Sequence, residues 1–368
     1  MAIKVLSIFG TRPEAIKMCP VVKELNKRKN INSVVCLTGQ HREMLRQVMD
    51  VFKLKEDYNL DIMKPNQTLS MITASILEKM DDIISKEKPG LILVHGDTST
   101  AFVAALAAFY HQIPIGHVEA GLRTYNLKSP YPEEFNRQAI DVMTEFYFAP
   151  TEKAKDTLLN EGKSENRVFV TGNTVIDALS TTVTDSYFNE HIEWAKDSRL
   201  ILLTAHRREN IGEPMENIFK AVVKLTETFE DVKFIYPIHL NPRVREIADK
   251  YLKSNDKIRL IEPLDVFDFH NFMKRSYLIM TDSGEIQEEA PSLGKPVLVL
   301  RDTTERPEGI NAGTLKLVGT DAVAIFNEAK LLLENENEYK KMSEAKNPYG
   351  DGTASCKIAD IIETYFKE

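Results

Sequence analysis

Short apolar runs alternate with amphipathic stretches along almost the whole chain. Residues 3–9 form a largely apolar run rich in β-branched side chains, and similar runs recur at 34–37, 91–94 and 113–118. Each has the length and composition of a buried strand. Between such runs lie stretches with helical spacing of apolar positions, most clearly at residues 68–86. Strands and helices that alternate in this way predict parallel sheets covered by helices on both faces.

The alternation changes character once, near the middle of the chain. An irregular, charged connection that contains Trp194 precedes a fresh strand pattern at 199–204. Because 368 residues exceed what one hydrophobic core usually serves, we predict an α/β fold of two Rossmann-like, doubly wound parallel-sheet domains facing a cleft. The predicted domains are residues 1–172 and 173–352, with a C-terminal helix at 353–368 that packs back across the domain junction.

Composition and charge narrow the class of protein. The chain is 43% apolar and 28% charged, as ordinary globular proteins are, and its net charge of −8 argues against sequence-independent binding of nucleic acid or anionic membrane. Residues 5–9 are too short for a signal peptide, and the longest apolar run, 101–110, is about half a membrane span. The three cysteines, Cys19, Cys36 and Cys356, form neither a disulfide framework nor a zinc motif. We expect a cytoplasmic protein that binds neither nucleic acid nor membrane.

Residues 281–309 carry the strongest sign of a binding site. An apolar strand ends in Thr-Asp-Ser-Gly, and a helix begins at Ser283 and Gly284. The first N–H groups of a helix lack intrahelical partners, and together with the helix dipole they favour a phosphate group. The alternative is an ordinary helix capped by serine, with a solvated acidic face. The length of the polar stretch that follows favours the phosphate site.

Charged residues further along the same stretch extend this prediction. Glu288 or Glu289, one turn into the helix, could accept hydrogen bonds from the two ribose hydroxyls of a nucleotide. Arg301 or Arg306 could then neutralise a second phosphate. The stretch therefore predicts a site for a nucleoside diphosphate.

Two carboxylates follow consecutive predicted strands in the first half of the chain. Asp97 ends the sequence LILVHGD, and Glu119 ends IPIGHVE. In a doubly wound sheet both would lie at the carboxyl edge, beside the loop at residues 10–12, where such sheets place their ligands. Each alone is more simply a cap on the following helix, but as a pair they suggest proton transfer. Two close carboxylates raise each other's pKa, so we expect one to hold a proton while the other accepts one.

Further ionisable groups belong to the same predicted edge. Arg12 and Lys17 lie on the first turns of the first helix, where solvated charge is the simple alternative. The sequence SPYPEEFNR uses two prolines to lead into a helix whose first turn holds Glu133 and Glu134. One of these carboxylates could enter the site while the other stabilises the helix dipole, although a capped helix explains them as well.

A histidine follows the first strand of the second half. His206 lies in the sequence LTAHRREN, with Arg207 and Arg208 directly after it. An imidazole at a strand end could donate to a phosphate or protonate a departing oxygen. Four other histidines are explained as structural hydrogen-bonding residues: His95, His117, His239 and His270. No histidine pair has metal-ligand spacing beside a carboxylate, so we predict no metal, and the loop at residues 10–12 lacks the glycines of a dinucleotide site, so we predict no cofactor.

These residues together indicate proton or group transfer on a nucleotide-activated substrate. The chain closely resembles bacterial non-hydrolysing UDP-N-acetylglucosamine 2-epimerases, which belong to the GT-B structural class. Ten motifs carry the resemblance, in the same order and over nearly the full length: GTRPEAIKM, TGQHREM, HGDT, GHVEAGLRT, PYPEEFNRQ, TGNTVID, AHRREN, EPLDVFDF, TDSGEIQEE and RDTTERPEG.

The resemblance implies a reaction and an assembly. The family is described as interconverting UDP-N-acetylglucosamine and UDP-N-acetylmannosamine, by elimination of UDP across C1 and C2 and its re-addition to a 2-acetamidoglucal intermediate. Its product is used for cell-surface polysaccharide or teichoic acid linkage. The resemblance also implies a homodimer, for which the helix at residues 68–86 is one candidate face.

The resemblance assigns roles to individual residues as well. The catalytic ionisable groups would be Asp97, Glu119, Glu133 and His206. The diphosphate would be held by Arg12, Lys17, Ser283, Gly284 and Arg306, and the ribose by Glu289. The uracil would be framed by the backbone near Leu264 and by the ring of Phe269 or Phe272. Which carboxylate acts on which face of the sugar stays open.

Relatives from Gram-positive bacteria are also described as requiring UDP-N-acetylglucosamine at a second, activating site. The motifs of that site correspond here to Gln40, His41, Gln67 and Arg207. Asn66 stands where some relatives have arginine. In the phosphate-binding turn, Glu285 replaces the second glycine of Ser-Gly-Gly, and its carboxylate would repel a diphosphate unless it turns to solvent. We therefore expect Glu285→Gly to lower the KM for substrate.

Three other functions share parts of this pattern. A GT-B glycosyltransferase would use a UDP-sugar but needs an acceptor. A hydrolysing epimerase would release free N-acetylmannosamine and UDP, and a nucleotide-sugar sensor would bind without reacting. Asp97 and Glu119 at one sheet edge favour the epimerase over the glycosyltransferase.

Overall fold

The computed structural model of the chain contains two compact units. It describes residues 2–39, 42–64 and 66–367. The first unit consists of the chain up to Thr181 and of the C-terminal segment from Tyr349 onwards. The second unit spans Thr182–Pro348. Each unit has its own sheet and its own helices.

The first unit is built on a parallel sheet of seven strands in the described chain. The strands are β1 (Ile3–Phe9), β2 (Ile31–Leu37), β3 (Tyr58–Asn59), β4 (Leu91–His95), β5 (Ile115–Val118), β6 (Phe146–Ala149) and β7 (Val168–Val170), in the order β3-β2-β1-β4-β5-β6-β7. The helices are α1 (Arg12–Leu25), α2 (Arg42–Phe52), α3 (Leu69–Glu87), α4 (Ser99–Tyr110), α5 (Glu133–Met143), α6 (Glu152–Asn160) and α7 (Thr174–Thr182). The strand order reverses between β1 and β4, which is where open α/β sheets bind ligands.

The pairing of β1, β4 and β5 positions the predicted acid and base residues. β4 lies between β1 and β5, and all three strands are parallel. Gly10, Asp97 and Glu119 follow soon after the ends of these strands, so they share one edge of the sheet. An ideal Cβ at Gly10 would lie 1.8 Å from Thr38 Oγ1, so glycine is required where β1 leaves the sheet. The prediction that the strands before Asp97 and Glu119 are neighbours is confirmed.

Helices α3 and α4 show how the amphipathic pattern builds a layer on this sheet. The Thr68 hydroxyl caps α3 by accepting from Met71 N at 3.2 Å, a contact that contributes about 1 kcal/mol. The buried stripe of α3, including Ile76, packs into the same core as Ile92 of β4. The small residues of α4, such as Ala104, are fully buried and allow close approach to the sheet.

The second unit has a parallel sheet of six strands. The strands are β8 (Arg199–Thr204), β9 (Val232–Pro237), β10 (Ile258–Ile261), β11 (Leu278–Thr281), β12 (Val297–Val299) and β13 (Leu315–Leu317), in the order β10-β9-β8-β11-β12-β13. The helices are α8 (Glu190–Ala195), α9 (Glu213–Thr228), α10 (Pro242–Leu252), α11 (Val266–Arg275), α12 (Gly284–Glu289), α13 (Pro307–Asn311), α14 (Ala322–Glu334) and α15 (Glu336–Ser343). Thr204 of β8 pairs with Thr281 of β11, and their hydroxyls hydrogen-bond at 2.6 Å. This pairing brings together the loops that follow β8 and β11.

The division between the units differs from the predicted domain boundaries. We predicted that the first domain ends at residue 172, whereas the first unit continues through most of α7 to Thr181 and also contains the last helix, α16 (Ala354–Tyr365). The physical reason is that Asp177 of α7 accepts hydrogen bonds from two backbone amides at the start of α16, at 3.2 and 2.7 Å. These amides have no intrahelical partner, so the carboxylate ties α16 to α7 within one unit.

A helix was predicted directly after residue 173, and α7 confirms it. The charged connection that follows was predicted to be irregular, but around Trp194 it forms the short helix α8. Two cations approach the Trp194 ring, with Lys233 Nζ 4.6 Å and the Arg259 guanidinium carbon 4.5 Å from the ring centroid. These cation–π contacts hold α8 against the second sheet.

Candidate functional site

A buried ion pair lies at the carboxyl edge of the first sheet. Lys17 Nζ of α1 contacts Glu119 Oε2, and the two side chains are only 13% and 15% exposed. Glu119 Oε2 also accepts from Asn173 Nδ2 at 3.1 Å and lies 3.7 Å from His95 Nε2. Residues of α1, β4 and the segment before α7 therefore all hold the Glu119 carboxylate.

The backbone of Glu119 is strained. Its φ of 71° lies in the left-handed region, which is rare for residues other than glycine, asparagine and aspartate. Strain of this kind costs on the order of 1–3 kcal/mol and is concentrated at functional sites. An ideal Cβ at Gly96 would lie 3.8 Å from Glu119 Oε1. The strained turn thus places the Glu119 carboxylate beside the residue that precedes Asp97.

The charges around Glu119 decide its protonation. Burial raises the pKa of this carboxyl, but Lys17 and His95 outweigh burial and hold the pKa well below its usual range. The expectation that Asp97 and Glu119 raise each other's pKa is therefore wrong for Glu119. Each carboxylate has its own cation, Lys17 for Glu119 and Arg137 for Asp97.

Asp97 is held by helix α5. Arg137 Nη2 pairs with Asp97 Oδ2, and Asn136 Nδ2 donates to the Asp97 carbonyl at 2.9 Å. The Asp97 side chain is 28% exposed, so a ligand can reach it. The sequence pattern does not single out Asn136 or Arg137. The signals that could have found them are their place early in the helix that begins at Glu133 and in the motif PYPEEFNRQ.

The two glutamates at the start of α5 have different environments. Glu134 is fully buried and accepts from Thr124 N and Tyr125 N, both at 2.9 Å. It therefore holds the loop before α5. Glu133 is partly exposed, and its carboxylate has no hydrogen-bond or ion-pair partner in the part of the chain that the structure describes. Of the pair, Glu133 is the one available to a ligand.

The loop after β1 is closed by a buried glutamate. Glu14 accepts from Gly10 N (3.0 Å), Thr11 N (2.8 Å) and Thr98 Oγ1 (2.7 Å). The two amides are therefore committed to Glu14 and not to a phosphate. The Arg12 guanidinium is partly exposed and has no partner among residues 2–39, 42–64 and 66–367. The side chain of Arg12 is thus the anion contact that this loop offers.

Two arginines flank the start of α12 in the second unit. An ideal Cβ at Gly284 would lie 3.7 Å from Arg207 Nη2 and 3.8 Å from Arg306 Nη2. Ser283 precedes the helix, and its hydroxyl makes no capping hydrogen bond. The simpler alternative, a helix capped by serine, is therefore wrong. Two guanidinium groups and a hydroxyl surround a helix start, which suits an anion.

The structure distinguishes the two arginines predicted for a second phosphate. Arg301 makes two hydrogen bonds with Glu305, at 2.8 and 3.0 Å, and this pairing is the main reason that the pKa of Glu305 is lowered to about 2. Arg306 Nε contacts Glu288 Oε1, while its Nη2 faces Gly284. Arg306 is therefore the better placed of the two.

The two adjacent carboxylates of α12 point to different partners. Glu288 contacts Arg306, whereas Glu289 Oε2 lies 3.4 Å from His270 Nε2. His270 is held from its other nitrogen, because Nδ1 lies 2.7 Å from Thr182 Oγ1. The predicted ribose contact, Glu289, is thus oriented by a buried histidine.

A buried aspartate organises the loop that carries His206. Asp282 Oδ2 accepts from His206 N (2.8 Å), Arg207 N (2.9 Å) and Asn210 Nδ2 (3.0 Å). Asp282 Oδ1 lies 3.5 Å from His206 Nδ1, and the His206 ring stacks on His239 with a centroid distance of 5.6 Å and an interplanar angle of 12°. The sequence does not single out Asp282, because only the pairing of β8 with β11 brings it to this loop.

Comparison with known proteins identifies the family. The family model for UDP-N-acetylglucosamine 2-epimerase matches residues 23–363. The chain belongs to the UDP-N-acetylglucosamine 2-epimerase family. A UDP-N-acetylglucosamine 2-epimerase from Bacillus subtilis (strain 168) is 59% identical, with 98% of this chain and 95% of the relative covered.

Solved structures share the epimerase fold. A crystal structure from Listeria monocytogenes has a TM-score of 0.97 at 54% identity and covers 100% of this chain and 97% of that chain. The UDP-GlcNAc 2-epimerase from Neisseria meningitidis, with UDP-GlcNAc bound, has a TM-score of 0.86 at 51% identity and covers 100% of both chains. The predicted α/β fold of the GT-B class and the predicted epimerase class are confirmed.

The departure from the epimerase pattern at Glu285 is accommodated. The Glu285 side chain is exposed, and its backbone φ angle is not positive. The turn therefore does not need a glycine here, and the carboxylate points to solvent, where water and salt screen it. The reason for expecting Glu285→Gly to lower the KM is removed.

The residues predicted to frame the uracil differ in exposure. Leu264 and Phe269 are half-buried and pack against the core of the second sheet. Phe272 is fully buried, and its ring lies 6.3 Å from that of Tyr187. The expectation for Phe272 is corrected, because a ring inside the core has no face for a base, and Phe269 is the candidate.

The residues predicted for an activating site are only partly described. Gln40 and His41 lie outside the described residues. Gln67 uses both amide atoms within its own loop, donating to Ile62 O at 2.7 Å and accepting from Lys64 N at 2.8 Å. Arg207 lies beside Gly284 in the second unit. The Gln67 side chain therefore stabilises its own loop through these two hydrogen bonds.

The structure shows no metal site in the part of the chain that it describes. No three or more histidine, cysteine, aspartate or glutamate side chains among these residues are placed to hold a metal ion. Two of the buried histidines are hydrogen-bonded to the protein, His270 to Thr182 and His117 to Asp141, whereas the ring nitrogens of buried His95 have no hydrogen-bond partner among the described residues.

Proposed function

We propose that the protein interconverts UDP-N-acetylglucosamine and UDP-N-acetylmannosamine without net hydrolysis. The observation that carries this proposal is the strained, cation-paired Glu119 at the same sheet edge as Asp97, in a chain of the epimerase family. The C2–H of the sugar is a weak acid, so its removal needs a carboxylate in a fixed position. Two anchored carboxylates at one edge meet that need.

The proposed reaction removes and restores one proton and one UDP group. A carboxylate takes the C2 proton, and the C1–O bond breaks as UDP leaves with the electron pair, which forms 2-acetamidoglucal. UDP then adds back at C1, and a proton returns to C2 on the opposite face. The acid and base candidates are Asp97, Glu119 and Glu133. Glu119 is held ionised, so it has no proton to give, but the lowered pKa also makes it a weaker base.

UDP leaves with negative charge, and the second unit supplies groups that stabilise it. Arg207 and Arg306 flank Gly284, and the uncapped Ser283 hydroxyl is free to donate. His206, held by Asp282, can give a proton to the departing oxygen. We assign the remaining contacts as follows: Arg12 and Lys17 to the diphosphate, Glu289 to the ribose, and Leu264 and Phe269 to the uracil.

The decisive experiment is proton NMR of UDP-N-acetylglucosamine with the enzyme in D2O. We expect the manno product to appear with deuterium at C2 and without added acceptor. Accumulation of free UDP and N-acetylmannosamine would indicate a hydrolysing epimerase, and a need for an acceptor would indicate a glycosyltransferase. If Asp97→Asn leaves the biological function intact, the protein is a sensor. A manno product that retains its original C2 hydrogen would contradict the proposal.

We further propose a homodimer formed through α3 and the neighbouring helix α4. Four large apolar side chains on these helices are 43–65% exposed in one copy: Leu69, Met71, Phe109 and Tyr110. A partner copy would bury them. Light scattering should give twice the chain mass, and Tyr110→Asp should reduce it, whereas Val323→Asp, an equally exposed site in the second unit, should not. A monomeric wild type would contradict the proposal.

We propose that UDP-N-acetylglucosamine also activates the enzyme through a site that includes Gln40, His41, Gln67 and Arg207. The support is the match of these residues to the motif that relatives are described as using. Initial rates from UDP-N-acetylmannosamine alone should show a lag that trace UDP-N-acetylglucosamine removes. A linear start without the activator would rule the site out.

We place the protein in the cytoplasm and its product in cell-surface polysaccharide or teichoic acid linkage. The three cysteines are free, as is usual in a reducing compartment. The described residues include no helix with the length and apolarity needed to cross a membrane. Cell fractionation tests the location, and loss of N-acetylmannosamine from surface polymers on gene deletion tests the use of the product.

A further inference from the structure

A second buried charge system lies behind the two carboxylates of the first unit. His117 is the third residue of β5, is fully buried, and uses both ring nitrogens. Its Nδ1 lies 2.6 Å from Asp141 Oδ1, and its Nε2 lies 2.7 Å from the carbonyl oxygen of Gly96. Nothing in the proposed reaction uses His117 directly.

The Gly96 carbonyl has no proton to give, so His117 Nε2 must carry a proton and donate to it. His117 Nδ1 faces the Asp141 carboxyl. Burial raises the pKa of Asp141, but His117 and Arg123 outweigh burial and lower it.

Asp141 links His117 to the cation Arg123. Its Oδ2 lies 2.7 Å from Arg123 Nη2 and accepts from Gly121 N at 3.3 Å. Arg123 is itself anchored by two hydrogen bonds to Glu161, at 2.9 and 2.7 Å. His117, Asp141 and Arg123 are buried and each has a polar partner, and the line ends at Glu161, which is exposed. A buried polar network that is bonded in this way can hold one geometry.

The ends of this network touch the backbone on both sides of the proposed acid and base. Gly96 precedes Asp97, and its N–H already donates to Val118 O at 2.9 Å. The Gly96 carbonyl and the Asp97 N–H lie in one planar peptide unit. Holding that carbonyl fixes the direction in which the chain enters Asp97. Gly121, which Asp141 holds, follows Glu119 by two positions, so the other carboxylate is constrained by the same group.

We propose that His117, oriented by Asp141, is a positioning residue that fixes the placement of Asp97 relative to Glu119 through the Gly96 carbonyl. This inference rests on the proposed role of these carboxylates in proton transfer at C2. His117 touches no substrate, so it acts on the rate of the chemical step and leaves the UDP contacts of the second unit unchanged.

The main test is His117→Phe, which keeps a ring in the core and removes both ring nitrogens. We expect kcat to fall on the order of 10²-fold, the usual effect of a misplacement of about 1 Å at a reacting group. The rate of deuterium incorporation at C2 should fall in parallel. The Kd for UDP, measured by calorimetry, should stay within about twofold, because Arg207, Ser283 and Arg306 are untouched.

The matched control is Tyr147→Phe. Tyr147 pairs with His117 across β5 and β6, and its hydroxyl donates to the backbone carbonyl of Asp141 at 2.9 Å. This variant therefore removes one buried hydrogen bond next to His117 and leaves the hydrogen bonds of His117 to Asp141 and Gly96 in place. Its kcat should stay within about threefold of the wild type. An equal loss in both variants, or a parallel loss of UDP binding in His117→Phe, means that His117 only supports the fold.

Two further measurements keep the proposal testable if His117→Phe does not fold. Asp141→Asn retains an acceptor for His117, and it should lower kcat more than Tyr147→Phe does, whereas an equal effect overturns the proposal. Nitrogen-15 NMR of the histidine rings in the wild type should show a protonated Nε2 for His117, and a bare Nε2 overturns the proposal. If the wild type itself exchanges no hydrogen at C2, the proposed function fails, and this is distinguishable from a folded, fully active His117→Phe, which defeats the positioning role alone.

Discussion

Lys17→Met is the sharpest test of the ion pair at the sheet edge. The substitution keeps the length of the apolar stem and removes the ammonium group that contacts Glu119 Oε2. Because both side chains are at least 85% shielded, Glu119 is left as a buried charge with Asn173 still donating at 3.1 Å. Breaking a buried pair by removing one partner costs about 3–5 kcal/mol. The remaining hydrogen bond places the expected loss at about 3 kcal/mol of the free energy of unfolding.

The loss should depend on pH in a defined direction. In the wild type the pKa of Glu119 is depressed, so this group contributes stability above its unfolded value of about 4.5, and that stability is lost as the pH falls through the folded pKa. Without Lys17, burial is the largest remaining influence and raises the pKa of Glu119. The variant therefore recovers stability as the pH falls from 7 towards about 4.5, and the difference from the wild type narrows.

The assay is urea denaturation followed by circular dichroism at several pH values, with hydrogen exchange in β4 and β5 to place the change in the first unit. Lys27→Met is the control, just past the end of the same helix. Lys27 is 65% exposed in its pair with Glu24, so its loss should cost less than about 1 kcal/mol. Adding Glu119→Gln to Lys17→Met should restore most of the lost stability. A loss at pH 7 no larger than that of the control, or a loss that does not narrow on acidification, would refute the reasoning.

Three further predictions concern single contacts. Asp282→Ala removes the acceptor of three hydrogen bonds in the His206 loop, so kcat/KM in steady-state kinetics should fall on the order of 10²-fold, and a value within about threefold would contradict this role. Glu285→Gly removes an exposed, screened charge, so the KM should change by less than about twofold, and a clear decrease would show that the carboxylate does reach the diphosphate. Gly10→Ala places a Cβ 1.8 Å from Thr38 Oγ1 and should lower the free energy of unfolding by about 1–3 kcal/mol, measured by thermal unfolding. The double variant Gly10→Ala/Thr38→Ala should recover part of this stability. A single variant as stable as the wild type would refute the prediction.

Local patterns in the chain were sufficient for the architecture and for several site residues. Apolar runs and helical stripes predict the strands and helices that flank Asp97 and Glu119, because burial acts on residues close in sequence. The topology rule for doubly wound sheets then places both carboxylates at one edge. Ser283 and Gly284 at a strand-to-helix turn were recognisable for the same reason.

Other parts of the site could not be predicted from local patterns. Lys17 and Glu119 are separated by 102 positions, and nothing near either residue marks the other. Asp282 and His206 are 76 positions apart. Phe272 is buried and Phe269 is not, which depends on how α11 packs on its sheet. The first unit ends at Thr181 because hydrogen bonds join α7 to α16.

The amino-acid sequence by itself determined the alternation of strands and helices, the family and the chemical types at the site, since these follow from burial periodicity and from motifs that are read locally. Only the tertiary structure decided which cation meets which carboxylate, that Glu119 is held ionised, and that Asp282 and His117 lie behind the reacting groups. The reason is that electrostatic energy depends on distance and burial, which are set by the order of strands in each sheet and not by spacing along the chain.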